Sequence, residues 1–249
     1  MAPPLPLDPT VFTPRFAAAA RRAGFEATTF GEIDGHPLIA YTKHTAATRP
    51  RIYVSAGIHG DEPAPPWALL SLMEAGFFDD TATWFVCPLI NPTGFLRQTR
   101  ENAAGTDLNR DYKEPQSPEV RAHVGWLQRQ PEFDLVICLH EDWEAQGFYL
   151  YELNALNQPS LAPVMIETAR LHGPIESAAV IDGREAAEPG IIRPINDPLL
   201  RDTWPEAIYL RHHHGPLHYT LETPSARPFA ERLTTLSAVL RAARAAFPR

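Results

Sequence analysis

The stretch "SAGIHGDEPAP" (residues 55–65) places His59, Asp61 and Glu62 within four positions, directly after the apolar run "RIYV". Side chains three residues apart across a helix-like turn point to the same side. The His59 imidazole and the Glu62 carboxylate can therefore share one divalent cation. His140, at the end of "LVICLH", offers a second imidazole from another apolar run. Two histidines and one carboxylate leave a coordination position open for water, which is the pattern of a catalytic zinc; a structural zinc closes its shell with four protein ligands. A solvated surface turn presents the same His-x-x-Glu pattern, and ten histidines make chance pairs easy, so the spacing alone leaves both readings open.

Such groups need elements that carry them to one place. Short apolar runs bounded by turn residues read as buried strands: "RIYVSAG" (51–57), "TWFVCPLIN" (83–91), "FDLVICLHED", "GFYLYELN" and "LHYTLETPS" (217–225). Between them, "PAPPWALLSLMEAG", "SPEVRAHVGWLQRQ" and "SLAPVMIETARLHG" read as helices. Proline is tolerated in a first helical turn, and Ser117 offers an N-cap. "PRFAAAARRAG" is a further short helix, and "PFAERLTTLSAVLRAARAAF" closes the chain as another. The alternating segments around Asp34-Gly35 signal a hairpin. Residues 1–12 read as an extended proline-rich arm, 92–118 as one long irregular stretch, and 174–216 as a proline-rich segment without clear elements. "RHHHG" reads as an extended polar approach to the last strand, on which three adjacent histidines cannot face one ion.

Alternating strands and helices imply an α/β fold: a mixed, mostly parallel central sheet covered by helices on both faces. The chain is expected to form one domain over residues 1–249. In such sheets the active site lies outside the carboxyl ends of the strands, where three runs end on His59, His140 and Glu222. The formal charge of −8, from 22 basic and 30 acidic residues, argues against nucleic-acid binding. No apolar run is long enough to span a bilayer. Cys87 and Cys138 sit inside apolar runs and read as buried thiols. The N-terminal residues lack a secretory pattern, so a cytoplasmic location is expected.

"HGDE", "NPTG", "TRENAAGTDLNR", a strand-end histidine and "LETP" follow one another in the order of the zinc carboxypeptidase family, which the chain resembles over roughly residues 50–240. It looks closest to small bacterial members that include murein peptide amidases, and is related to the succinylglutamate desuccinylase and aspartoacylase branch. The resemblance implies the zinc carboxypeptidase (phosphorylase/hydrolase-like) fold and one Zn²⁺ per chain, held by His59, Glu62 and His140. It makes Asp107 the acid that hydrogen-bonds a ligand imidazole, and Asn109 and Arg110 the grip on a substrate carboxylate. Arg100 becomes the cation that stabilises the oxyanion, with Arg97 as the alternative in the same loop. Glu222 becomes the general base.

The function implied is hydrolysis of an amide bond next to a free carboxylate, as in a metallocarboxypeptidase or peptide amidase. One alternative is an N-acyl amino acid deacylase; that branch carries an extra β-rich domain, whereas residues 223–249 read as one helix. Another is a binding protein that kept the fold without catalysis. Residues 173–216 are expected to form the pocket, with Arg211 or His213 as possible lining. Glu141, Asp142 and Trp143 fall beside the metal, Tyr149 and Tyr151 on the sheet, and Tyr209 is left without a role.

Overall fold

Alternate side chains of a strand face opposite sides of its sheet, and the central strands use both sides. The computed structural model describes residues 7–46, 50–194 and 197–248. The strands are β1 (Glu26–Ile33), β2 (His36–Lys43), β3 (Arg51–Ser55), β4 (Thr83–Cys87), β5 (Leu135–Asp142), β6 (Tyr149–Asn154), β7 (Val180–Ile181), β8 (Arg184–Glu185), β9 (Ile191–Ile192) and β10 (Leu217–Pro224). The helices are α1 (Pro9–Arg22), α2 (Ala64–Glu74), α3 (Pro92–Arg97), α4 (Pro118–Leu127), α5 (Ala162–Arg170), α6 (Glu206–His213) and α7 (Phe229–Ala246). Eight strands form one sheet in the order β1-β2-β4-β3-β5-β10-β6-β9. The central pairs β4/β3, β3/β5 and β5/β10 are parallel, β10/β6 is antiparallel, and the β1/β2 hairpin closes one edge.

Ile52 and Val54 of β3, Trp84 and Val86 of β4, and Ile137 and Leu139 of β5 pack into a cluster with α1, α2, α5 and α7. The intervening Tyr53, Phe85, Cys87, Val136 and Cys138 pack into a second cluster with α4 and α6. A strand buried on both faces must be apolar at nearly every position, which is why these runs show no polar alternation. Both cysteines are free and buried. No described helix is long and apolar enough to cross a membrane.

Three expectations are corrected. The proline-rich arm does not extend to residue 12, because the Asp8 side chain caps Thr10 and α1 starts at Pro9; residues 1–6 lie outside the described residues. The stretch 92–118 contains α3, started by the Asn91 cap and Pro92, and a 3-10 turn at Leu108–Arg110. "RHH" is the last turn of α6 rather than an extended approach, since Ala207, Ile208 and Leu210 give that segment an apolar face to bury.

His218, buried in β10, gives the fold an acid-sensitive point. Its Nε2 donates to the Gly215 carbonyl at 2.6 Å, and its Nδ1 is buried with no partner. Protonation would bury an unpaired N–H⁺, so burial depresses the pKa to about 3. The unfolded chain takes up this proton near pH 6.5 and the folded chain refuses it. Stability therefore falls as pH drops from 6.5 toward 3, by about 1.4 kcal/mol per pH unit from this residue. Urea unfolding of the metal-free protein should show a slope flatter by that amount in His218→Gln.

Candidate metal centre

β3 delivers the "GIHGDE" turn at its carboxyl end, and that turn is tightly confined. A Cβ on Gly60 would lie 2.0 Å from the carbonyl carbon of Gly94 in α3, so only glycine permits this approach. Asn91, fully buried, ties the two segments together. Its Nδ2 donates to the carbonyls of Ile58 (3.1 Å) and Arg100 (3.3 Å), and its Oδ1 caps Gly94 N at 2.8 Å. Asn91→Ala should cost about 2–3 kcal/mol, combining a lost N-cap with two stranded carbonyls. Asn91→Asp keeps the cap acceptor and should recover part of that loss in urea unfolding.

The turn brings His59 and Glu62 against His140, the sixth residue of β5. His59 Nδ1 lies 2.5 Å from Glu62 Oε1, and His140 Nδ1 lies 3.0 Å from Glu62 Oε2. All three residues are buried, and one ligand atom from each falls within 4.8 Å of the others. They are the one such group among the described residues. The other nitrogen of His59, Nε2, donates to Asp107 Oδ1 at 3.2 Å, which fixes the tautomer and leaves Nδ1 facing Glu62. Burial works against an imidazolium at His59, but the Glu62 carboxylate and the bond to Asp107 outweigh it and raise the pKa to about 9. Burial likewise opposes ionisation of Glu62, yet the two imidazoles hold its carboxyl well below the usual range. Two imidazole nitrogens and a carboxylate, with protons a cation can displace, suit a divalent ion such as zinc.

β5 and β10 are parallel neighbours, and their register sets Glu222 opposite His140. Tyr149 of β6 pairs with Glu222 from the other side. These strand ends form the floor of a cavity of about 710 Å³ lined by His59, Glu62, His140 and Glu222, with Arg100, Asp107, Asn109 and Arg110 on its wall. Burial first, and then the nearby carboxylates of Glu62 and Asp142, push the Glu222 pKa to about 8 despite the opposing pull of His140. Arg100 Nε donates to Asp107 Oδ2 at 2.9 Å, and its Nη1 stands 3.7 Å from Glu62 Oε1. Asn109 Oδ1 accepts from the Glu206 backbone N–H, which leaves its NH₂ as the donor for the cavity. Arg97 is apart from this group: it donates to the Ala103 carbonyl at the exposed surface and does not line the cavity.

His140 and Glu141 are adjacent on β5 and so face opposite sides of the sheet. Glu141 is sealed beneath the metal ligands. Its carboxylate accepts from Ala64 N, at the start of α2, and pairs with the buried Arg232 of α7. Its own N–H donates to Glu62 Oε2 at 3.1 Å. Glu206, also fully buried, takes Tyr53 Oη at 2.7 Å and Ser55 Oγ at 2.8 Å, anchoring the start of α6 to the sheet beside Asn109. Sequence reasoning missed Glu206 and Arg232, because nothing local marks a charged residue in a helix as buried. Tyr149 and Tyr151 stand on β6 in the sheet, as expected, with Tyr149 buried in a core cluster; both also line the cavity, where Tyr149 donates to Asp142 and Tyr151 to Asp182. Arg211 and His213 do not line it, and Tyr209 packs in the core against Tyr112. His123 is bonded to Tyr53 and Tyr112 and belongs to no metal group.

Comparison with known proteins bears on the fold and on part of the chain. The family description "Succinylglutamate desuccinylase/Aspartoacylase catalytic domain" matches residues 48–161. Carboxypeptidase SOL1 of Arabidopsis thaliana is 28% identical over 131 residues, covering 44% of this chain and 24% of that protein, so the match spans about a quarter of the relative's length. A candidate metallopeptidase from Shewanella amazonensis SB2B shares the fold at TM-score 0.83 and 24% identity, over 94% of this chain and 91% of that one. The metallo-carboxypeptidase from Pseudomonas aeruginosa, solved with (2-guanidinoethylmercapto)succinic acid, aligns at TM-score 0.63 and 20% identity, over 92% and 67% of the two chains. Over residues 48–161 the chain is thus similar to the succinylglutamate desuccinylase/aspartoacylase catalytic domain, and over nearly all of its length it shares the fold of these metallopeptidases and metallo-carboxypeptidases.

Proposed function

We propose that the protein is a zinc-dependent hydrolase that cleaves an amide bond next to a free carboxylate, in the manner of a metallocarboxypeptidase or peptide amidase. The observation that carries this reading is the convergence on one cavity of the His59–Glu62–His140 group, Glu222 and a wall of Arg100, Asn109 and Arg110. Zinc bound there would polarise the scissile carbonyl and make water acidic near neutral pH.

The chain supplies the rest. The Asn109 amide and the Arg110 guanidinium seat the substrate carboxylate, which sets the scissile bond at a fixed distance from the floor. Glu222, set opposite His140 by the strand register, takes a proton from the attacking water and returns it to the leaving amine. Arg100, a permanent cation held by Asp107, faces the oxygen that gains charge. Asp107 serves two partners at once, holding the His59 ring and aiming Arg100.

A second reading, an N-acyl amino acid deacylase, is favoured by the family match over residues 48–161. Both readings use the same machinery and differ in what lies on the acyl side of the bond. Zinc-loaded protein should be incubated with C-terminal peptides, N-acyl amino acids and γ-D-glutamyl-diaminopimelate peptides, and the products identified by mass spectrometry. Cleavage of peptides supports the first reading. Cleavage of acyl amino acids alone selects the second, and no cleavage of any class overturns both.

A further inference from the structure

The wall that carries Asn109 rests on a buried carboxylate that no step of the proposed hydrolysis uses. Glu206 opens α6; Pro205, Ala207 and Ile208 around it line the cavity, whereas Glu206 is 1% exposed and bonded to the sheet. Its Oε1 accepts from Tyr53 Oη at 2.7 Å and its Oε2 from Ser55 Oγ at 2.8 Å. Ser55 pairs with Cys138 in the register of β3 and β5, and His140 follows Cys138 on the same face of β5. The first turn of α6 is therefore tied to the sheet one level below the metal group.

The donors behind Glu206 leave little freedom. A phenol has one hydrogen, and Tyr53 gives it to Glu206. The 3.0 Å contact between Tyr53 Oη and His123 Nε2 is then a bond from the ring N–H to the phenol oxygen. His123 Nδ1 in turn accepts the Tyr112 hydroxyl at 2.7 Å. This order needs a neutral ring, and burial depresses the His123 pKa to about 3. Tyr53, Ser55, Tyr112 and His123 are all buried. Tyr112 lies just beyond Asn109, and its N–H donates to the Trp204 carbonyl at 3.1 Å, shortly before α6. The Asn109 segment thus meets the start of α6 at two points, since the Glu206 N–H also holds Asn109 Oδ1 at 2.9 Å.

We propose that Glu206 is a positioning residue: by fixing the start of α6 on β3 it holds the Asn109 amide with its NH₂ toward the cavity, at a set distance from the metal floor. The inference rests on the reading in which Asn109 and Arg110 hold the substrate carboxylate. Without the anchor the amide is free to turn its oxygen to the cavity, where it repels a carboxylate instead of donating to it.

The probe is levulinate, in which a methylene replaces the amide nitrogen of N-acetylglycine, so that nothing is cleaved. Titration calorimetry on zinc-loaded protein should show Asn109→Ala weakening the probe about tenfold, the weight of one hydrogen bond to a charged group. Glu206→Ala should weaken it by a similar factor, and the double substitution by no more than either alone, because the two act through one contact. Glu206→Gln keeps the shape and one acceptor, and should bind the probe within about threefold of the unaltered protein. Tyr53→Phe removes one of the two anchors with little change in packing, and should fall between Glu206→Ala and the unaltered protein even where Glu206→Ala folds poorly. Unaltered binding in both Glu206→Ala and Tyr53→Phe, or losses that multiply with that of Asn109→Ala, would overturn the role. If Asn109→Ala weakens the probe and neither of the other two does, the carboxylate reading stands and the role of Glu206 fails. If the probe does not bind, or binds equally in Asn109→Ala, both fail. If no substrate of the panel is cleaved while the coupling holds, the hydrolase reading fails and the role of Glu206 stands.

Discussion

Glu222→Gln is expected to retain one equivalent of zinc and to lose about 10²–10⁴ of its turnover, the usual weight of general acid–base catalysis. Glutamine keeps the length, shape and much of the hydrogen bonding of the acid, so the register that sets position 222 against His140 should persist. The amide cannot take a proton from water or return it to an amine. Metal content by elemental analysis and kcat on the preferred substrate of the panel separate the two effects. A zinc-replete variant with near-normal turnover would remove Glu222 from the chemistry. A variant that loses zinc would show instead that Glu222 holds the metal.

Arg232→Met should destabilise the protein by about 3–5 kcal/mol and weaken zinc binding by about 10–100-fold, although Arg232 contacts no proposed ligand. Arg232 and Glu141 are both buried, and removing the guanidinium leaves a carboxylate with no counter-charge. Burial already lifts the Glu141 pKa to about 7 against the opposing field of Arg232, so the isolated acid must take up a proton or recruit water. Either response disturbs the start of α2 through Ala64 and the Glu62 carboxylate through the Glu141 N–H. Arg232→Lys keeps the charge but not the fork, and should lie between the two. Urea unfolding and competition with a chelator read the two effects separately. A change in stability with unaltered zinc affinity would confine the pair to holding α7 in place.

Much of the architecture was legible because the central strands are buried on both faces and so stand out as continuous apolar runs. Asp34-Gly35 announced the hairpin because both residues adopt positive φ, which few other residues tolerate. Ser117 announced α4, and its hydroxyl accepts the Val120 N–H at 3.3 Å. The short α3 was obscured because Gly94 sits inside it, where glycine is normally unfavourable; here a Cβ would lie 2.4 Å from the Asn91 amide and 2.7 Å from the Glu101 carbonyl. Residues 174–216 gave no periodic signal because their strands are two residues long and their positions depend on neighbours supplied by β6 and the cavity.

The amino-acid order by itself determined which side chains stand at the carboxyl ends of the strands: His59 after β3, His140 within β5 and Glu222 within β10. Period-two geometry then dictated that His140 and Glu141 face opposite sides. Only the tertiary structure decided what those sides meet. Glu141 finds Arg232 across 91 residues, and Glu206 finds Tyr53 across 153. It also gathered Arg110, Arg184 and Arg201 from three unrelated turns into one cavity. Local patterns record the shape a segment prefers and the face it buries. A charge partner or a cavity wall depends on how segments far apart in the chain are packed, which no window of neighbouring residues contains.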